Sequence, residues 1–300
     1  MNKSNSSHFE IPKFTIKQLL ESGAHFGHKT MRRNPKMSKY IYCNKNNISI
    51  IDLDKTARLL NESLKVVKNI SENNGKILFV STKKQACDTI ALAAKRCGQY
   101  YVNFRWLGGM LTNWSTVSKS IKTLRKIEAD LANNEIGLNK KEKLDLERKR
   151  LKLEKSLGGI KDIQGKPDLV FIIDINKESI ALLESIKLNI PVMAILDTNC
   201  NTDNITYPIP GNDDSTKSIK LFCKLISDAA IAGMKEAMQK SGLDISNLDN
   251  DEIILKKSDP TSSIKNAVKP KTNKEEIKKS LDIKNNIDST QDSDNNNNNS

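Results

Sequence analysis

The sequence predicts an α/β protein: a three-layer α/β/α sandwich around a parallel sheet, flavodoxin- or Rossmann-like, with an inserted antiparallel coiled-coil helical hairpin. Three observations carry this expectation. Ile77-Leu78-Phe79-Val80, Leu169-Val170-Phe171-Ile172-Ile173 and Val192-Met193-Ala194-Ile195-Leu196 are unbroken apolar runs of strand length, the composition of strands buried on both faces. Helical patterns alternate with them, as parallel strands joined by crossovers require. Before the Leu169 run, a long charge-dense segment interrupts the alternation, with leucines recurring at three-and-four spacing.

Taken in order, Thr15-Ile16-Lys17-Gln18 is a capping box that opens a short helix stopping near Gly23. Tyr40 to Cys43 and Ile48 to Ile51 are β-type runs around an Asn-Lys-Asn-Asn turn. Asp54 to Asn73 is helical, with Ala57, Leu60, Leu64 and Val67 on one face. After the first buried strand, Gln85 to Cys97 forms a helix with Ala86, Ile90, Ala93, Ala94 and Cys97 inward, and Tyr100-Tyr101-Val102 a second strand. A helix from Lys177 to Lys187 joins the Leu169 and Val192 strands. A fifth short strand near Thr206-Tyr207 precedes the last helix, Asp214 to Lys240.

The interruption, residues 113–157, reads as two helices joined near Gly137-Leu138-Asn139. Val117, Ile121, Leu124 and Leu131 supply one side of a narrow seam; Leu144, Leu146, Leu151, Leu153 and Leu157 supply the other, less regularly. Flanked by 12 basic and 7 acidic residues, a seam of this kind fits an antiparallel hairpin projecting from the sheet. Gly158-Gly159 returns the chain to the body. The expected organisation is thus an α/β domain of residues 14–112 and 158–242, the hairpin at 113–157, a flexible extension at 1–13, and a tail at 243–300. The tail lacks apolar periodicity and ends in Asn295 to Asn299, a disordered, low-complexity composition.

Charge narrows the partners. The chain carries +13; residues 243–300 hold 9 Lys and no Arg against 8 Asp and 3 Glu, a net −2, which leaves +15 on the rest. A folded body so charged attracts a polyanion, nucleic acid first and an anionic membrane surface second. No apolar run approaches a bilayer span, and Met1 to Glu10 has no signal-peptide core. Cys43, Cys87, Cys97, Cys200 and Cys223 form no C-x-x-C pair and read as small buried hydrophobes in a reducing cytosol.

The nucleotide fingerprints of doubly wound folds, G-x-G-x-x-G and G-x-x-x-x-G-K-[ST], do not occur in the sequence. His25-Phe26-Gly27-His28 has a spacing that could serve a metal, with Asp197 or Asp213 at strand ends as a further ligand; the plainer reading makes these loop or RNA-contacting histidines. Pro208 to Ser215 reads as a tight turn whose Asp and Ser residues cap the last helix, or as a place where a ligand meets the sheet's carboxyl edge. The stretch Lys29 to Tyr40 holds five positive charges and no acid. With Lys83, Lys84, Arg105 and the hairpin it supplies the cations a phosphate backbone would meet. Aromatics are too few for a single-strand stacking platform, which favours recognition by shape and backbone.

Residues 103–114, Asn-Phe-Arg-Trp-Leu-Gly-Gly-Met-Leu-Thr-Asn-Trp, hold both tryptophans in a glycine-broken connection, where binding surfaces concentrate. This block, with Gly23 to His28, Asn34 to Met37, Ile50 to Thr56, Gly75 to Val80, Ser156 to Asp162, Pro167-Asp168, Asn189 to Val192, Asp197 to Asn199 and Ile209 to Asp214, stands in the order of a known family. The chain closely resembles the second small-subunit ribosomal protein of bacteria, the S-two family, from about Phe14 to Lys240. The helical insertion fits the bacterial or organellar branch; the two terminal extensions depart from the pattern.

The resemblance implies a non-catalytic structural protein of the cytoplasmic small ribosomal subunit, with no cofactor and no small-molecule substrate. It implies binding to small-subunit ribosomal RNA, late assembly, and neighbouring proteins including the messenger-binding protein S-one. The expected RNA-contacting residues are Arg32, Arg33, Lys36, Lys39, Lys83, Lys84, Arg105, Trp106, Asn113 and Trp114, the two indoles either packing the sheet–hairpin junction or meeting bases. Two alternatives stand beside this: a metal-dependent α/β enzyme built on His25, His28, Asp197 and Asp213, and an adaptor whose hairpin binds another protein.

Overall fold

A computed structural model describes residues 10–132 and 139–241. Most of the flexible extension, the Gly137-Leu138 turn and the low-complexity tail lie outside these residues. Eight strands and seven α-helices follow one another within them: α1 Ile16–Glu21, β1 Phe26–Lys29, β2 Ile41–Lys45, β3 Ile48–Ile51, α2 Leu53–Glu72, β4 Ile77–Val80, α3 Cys87–Arg96, β5 Tyr100–Val102, α4 Trp114–Ala132, α5 Lys140–Leu157, β6 Leu169–Ile173, α6 Ser179–Lys187, β7 Val192–Leu196, β8 Tyr207–Pro210 and α7 Thr216–Lys240.

The larger sheet is parallel throughout, in the order β5-β4-β6-β7-β8. Counted from β4 this is the 2-1-3-4-5 order of flavodoxin-like folds, whose switch point falls between β4 and β6. Side-chain alternation divides each strand between two apolar layers. Ile77, Phe79, Leu169, Phe171, Ile173, Met193 and Ile195 face α2, α3 and α7. Leu78, Val80, Val170, Ile172, Val192, Ala194 and Leu196 face the other side, among Met37, Trp106, Met110, the hairpin base and Ala181 of α6. Phe79 and Phe171, opposite each other in register, meet edge-to-face at 5.5 Å between centroids. The three-layer sandwich expected from the uninterrupted apolar runs is therefore the fold.

Helices α2 and α7 pack closely because of Gly233: a Cβ there would lie 2.2 Å from the Lys68 carbonyl oxygen. Ser215 caps α7 by accepting from the Ser218 amide. The capping box of α1 is formed as expected, Gln18 and Thr15 exchanging side-chain and backbone bonds.

Three local expectations are corrected. Phe26–Lys29 is a strand, completing a three-stranded antiparallel sheet β1-β3-β2. Its sequence holds no β-branched residue, and long-range pairing to β3 makes it extended. Pro208-Ile209-Pro210 belongs to the edge strand β8 rather than to a turn. Gly211 N donates to Leu196 O and the Pro210 carbonyl accepts from Thr56 Oγ1, so both imino nitrogens face away from β7, where no ladder bond is lost.

The third correction concerns the hairpin, where α4 buries Val117, Ile121, Leu124 and Ile127 as an even stripe. Leu144 and Leu151 of α5, expected in the seam, are instead 48% and 47% exposed. Only Leu157 of α5 is fully buried, at the body. Arg125 reaches the Lys161 carbonyl and Asp162, and Lys161 lies 3.7 Å from Glu128 and 3.8 Å from Glu154, fastening the hairpin base. Among the described residues no helix is long and apolar enough to cross a membrane.

Candidate nucleic-acid interface

Several of the cations and acids singled out in the sequence lie at the carboxyl end of the parallel sheet, the end at which open α/β folds present their binding residues. Lys83 and Lys84 follow β4, Arg105 follows β5, and Asp174 follows β6. The 30–40 segment is tied there by the Asn34 amide, which donates to the Thr198 carbonyl just beyond β7.

That segment is two 3₁₀ turns. Asn34 caps the second by accepting from the Lys36 amide, and Pro35 occupies its first position, where no amide is needed. Met37 is completely buried and pins the segment to the body. Arg32, Arg33, Lys36 and Lys39 all stay exposed around it. Arg33 donates to Ser38 Oγ at 3.0 Å, Lys36 pairs with Asp203, and Lys39 lies over the Tyr40 ring. Lys84 and Arg105 are likewise exposed.

Lys83 differs. Its side chain is 12% exposed and its ammonium sits 2.7 Å from Asp214, 2.8 Å from Asp213 and 3.1 Å from Asp174. Against the desolvation of burial, these carboxylates hold its pKa above the usual lysine value. Three acids surround the charge, so Lys83 leaves the set of phosphate-contacting residues. It also crosses the switch point, where Thr82 bonds Glu178 through amide and hydroxyl and Lys177 donates to the Thr82 carbonyl. The crevice in which doubly wound folds take a nucleotide is filled here by internal polar contacts.

His28 adjoins this cluster. Its Nδ1 lies 2.9 Å from Asp197 Oδ2 and its Nε2 3.4 Å from Asp214 Oδ2. The Asp197 bond raises the His28 pKa, with burial opposing and the neighbouring acids adding. Burial pushes Asp213 up to about 7, Asp197's charge adding and Lys83 opposing. Four ligand atoms from His28, Asp197, Asp213 and Asp214 lie within 4.8 Å of one another, one imidazole and three carboxylates, of which Asp213 and Asp214 already hold the Lys83 ammonium. Three of the four sequence candidates thus converge, and Asp214 joins them. His25 does not join: it lies in the turn before β1, whereas His28 lies within that strand. His25 stacks on Phe26 at 3.9 Å, its Nδ1 is buried without a hydrogen-bond partner among the described residues, and burial lowers its pKa.

Trp106 is 7% exposed and donates from Nε1 to Glu184 at 3.1 Å, so it packs the junction and presents no face to a base. Trp114 is half-buried against the same apolar layer as the first residue of α4, and Asn113 accepts from the hydroxyls of Ser115 and Thr116 at that helix start. Sequence reasoning missed Glu184 and Asp214. A glutamate within a helix carries no signal that its partners lie more than 70 residues away, and Asp214 read as a helix cap.

Fold and charge together define a doubly wound α/β protein with cations displayed at the carboxyl edge and internal ion pairs closing its switch point. The ribosomal protein S2 family profile matches residues 19–233, and the chain belongs to that family. It is 58% identical over 235 residues to a small ribosomal subunit protein uS2 of Phenylobacterium zucineum, covering 78% of this chain and 80% of that one. It is 57% identical over 235 residues to the protein of the same name from Caulobacter vibrioides (78% and 88%), and 54% identical over 241 residues to that of Rickettsia bellii (80% and 83%).

Proposed function

We propose that this chain is a structural, non-catalytic constituent of the cytoplasmic small ribosomal subunit. In this reading it holds small-subunit ribosomal RNA at the carboxyl edge of its sheet, joins the subunit late in assembly, and helps dock protein S-one among its neighbours. One observation carries the RNA reading: Arg32, Arg33, Lys36, Lys39, Lys84 and Arg105 are exposed and leave the same end of the sheet. Cations gathered on a rigid edge release counterions from a phosphate backbone, giving affinity that falls steeply with salt. The hairpin, with exposed basic residues along both helices, extends the surface available to folded RNA.

Mechanistically the protein positions rather than reacts. The buried Met37 and the Asn34 cap hold the basic segment in one shape, so fewer conformations are lost on docking. The test is sedimentation: the chain should travel with small subunits at low salt and leave them as salt rises. A chain found only in the free pool would sink the reading. Deleting 116–157 and assaying RNA and protein partners separately would expose an adaptor role for the hairpin, through loss of a protein partner with RNA binding intact.

A further inference from the structure

We propose that Glu184 is the positioning residue that fixes the 103–113 loop in the shape with which this chain meets RNA, an inference resting on the RNA-docking reading above. The loop between β5 and α4 has no ladder or helix to receive its amides, which must find partners to be buried. Two bond within the loop, Met110 to Leu107 and Asn113 to Gly109, and Glu184, within α6 and 7% exposed, accepts from three more. Its Oε1 accepts from Trp106 Nε1 at 3.1 Å and Gly109 N at 2.8 Å. Its Oε2 accepts from Leu111 N at 2.9 Å, Thr112 N at 3.1 Å and Thr112 Oγ1 at 3.2 Å.

All five donors come from the loop. A carboxylate offers about four lone-pair sites, so both oxygens are filled. The turn they draw together needs Gly109 at φ +84°, where a side chain would be strained and a Cβ would meet that of Asn113 at 3.0 Å.

Two consequences reach the RNA-facing surface. Arg105, exposed, immediately precedes Trp106, whose indole is held by the same carboxylate. Trp114 opens α4 directly after the loop, and α4 runs 19 residues, roughly 28 Å at 1.5 Å per residue. A rotation of about 10° at the loop would carry the far end of that helix by about 5 Å over such a length. Apolar packing at the hairpin base is non-directional, and of the ion pairs there Arg125–Asp162 is exposed and Lys161–Glu128 long at 3.7 Å. The directional bonds to Glu184 set the angle.

The experiment uses the full chain with Glu184→Gln and Thr112→Val. In the first, an amide NH₂ replaces one acceptor oxygen and confronts loop N–H donors; in the second, one donor hydroxyl is removed. Amide exchange, the fluorescence of the two tryptophans, and affinity for protein-free small-subunit ribosomal RNA across a salt series are read where each variant is fully folded. We expect E184Q to lose protection in 106–112 but not in β4, β6 or β7. Its RNA affinity should fall about tenfold, some 1.4 kcal/mol, at an unchanged salt slope because no cation is removed. T112V should shift both readouts the same way by about twofold, or ~0.4 kcal/mol, and decides the matter if E184Q does not fold. Loosened exchange with wild-type affinity would reduce Glu184 to a fold-stabilising role and overturn the proposal, as would unchanged exchange. Wild-type chain indifferent to the RNA at low salt would instead overturn the docking reading itself.

Discussion

The cations of the 30–40 segment and Lys83 leave the same end of the sheet, yet their surroundings are opposite. Arg32, Arg33, Lys36 and Lys39 stand exposed, and among the described residues their ion pair is that of Lys36 with Asp203. Lys83 is enclosed by Asp174, Asp213 and Asp214, while Lys84, next in sequence, is exposed. A count of positive charge treats these residues alike. Burial separates those available to a partner from those that neutralise the interior, and the two kinds should fail differently when removed.

The largest effect is expected at the exposed set. Replacing Arg32, Arg33, Lys36 and Lys39 together by Gln should flatten the salt dependence of RNA binding by nearly four units of slope, about a thousandfold in affinity near 0.15 M salt. The melting temperature should change little, and filter binding against salt measures the slope. An unaltered slope would break the comparison, since these cations would then face something other than phosphate.

Lys83→Met should do the reverse. It leaves three carboxylates facing one another without their shared cation, a loss of about 3 kcal/mol in unfolding free energy, while the salt slope of the folded protein stays at the wild-type value. Urea denaturation with parallel RNA titration checks both halves.

A smaller effect follows from Asp213. Its folded carboxyl keeps a proton up to about pH 7, whereas an unfolded Asp releases it near 3.9. Between these values the folded state binds more protons, so this group's contribution to stability falls as pH rises through the window. The raised pKa of His28 has the same sign: its contribution is full below the ordinary histidine value and declines as pH climbs past the raised one. Asp213→Asn, which cannot ionise, should flatten the decline from pH 5 to 8, an effect on the order of 2 kcal/mol. Melting curves across that range in several buffers would show a parallel wild-type and variant profile if the cluster does not titrate this way.

The smallest effect sharpens the contrast between the hairpin's two helices. Leu151→Gln, at an exposed position of α5, should alter stability by no more than about 0.5 kcal/mol, whereas Leu124→Ala, at a buried position of α4, should cost about 3 kcal/mol. Equal costs would mean that the α5 leucines are covered after all.

Much of this was readable in advance where one kind of residue dominated its neighbourhood. The runs at Ile77, Leu169 and Val192 are apolar on both faces and could be little else but central strands. Phe26–Lys29 could not be read so, because a strand without β-branched residues is made extended by its partner, and that partner lies about 20 residues away in β3. Pro208 and Pro210 signalled a turn because the side on which their nitrogens face is a property of the assembled edge. At the site, exposed Arg and Lys residues were legible from their clustering. The enclosure of Lys83 and the five bonds to Glu184 depend on residues brought together by the crossovers, and no local pattern encodes them.

One further property follows from the rims of the parallel sheet. On β8 the outward positions are imino nitrogens; on β5 the turn Gly158–Ile160 presses against the strand, so tightly that a Cβ at Gly159 would fall 2.1 Å from the Tyr101 carbonyl oxygen. Neither border offers a foreign strand a continuous row of donors and acceptors. Pairing of one copy's parallel sheet with another's, border to border, is therefore disfavoured on both sides.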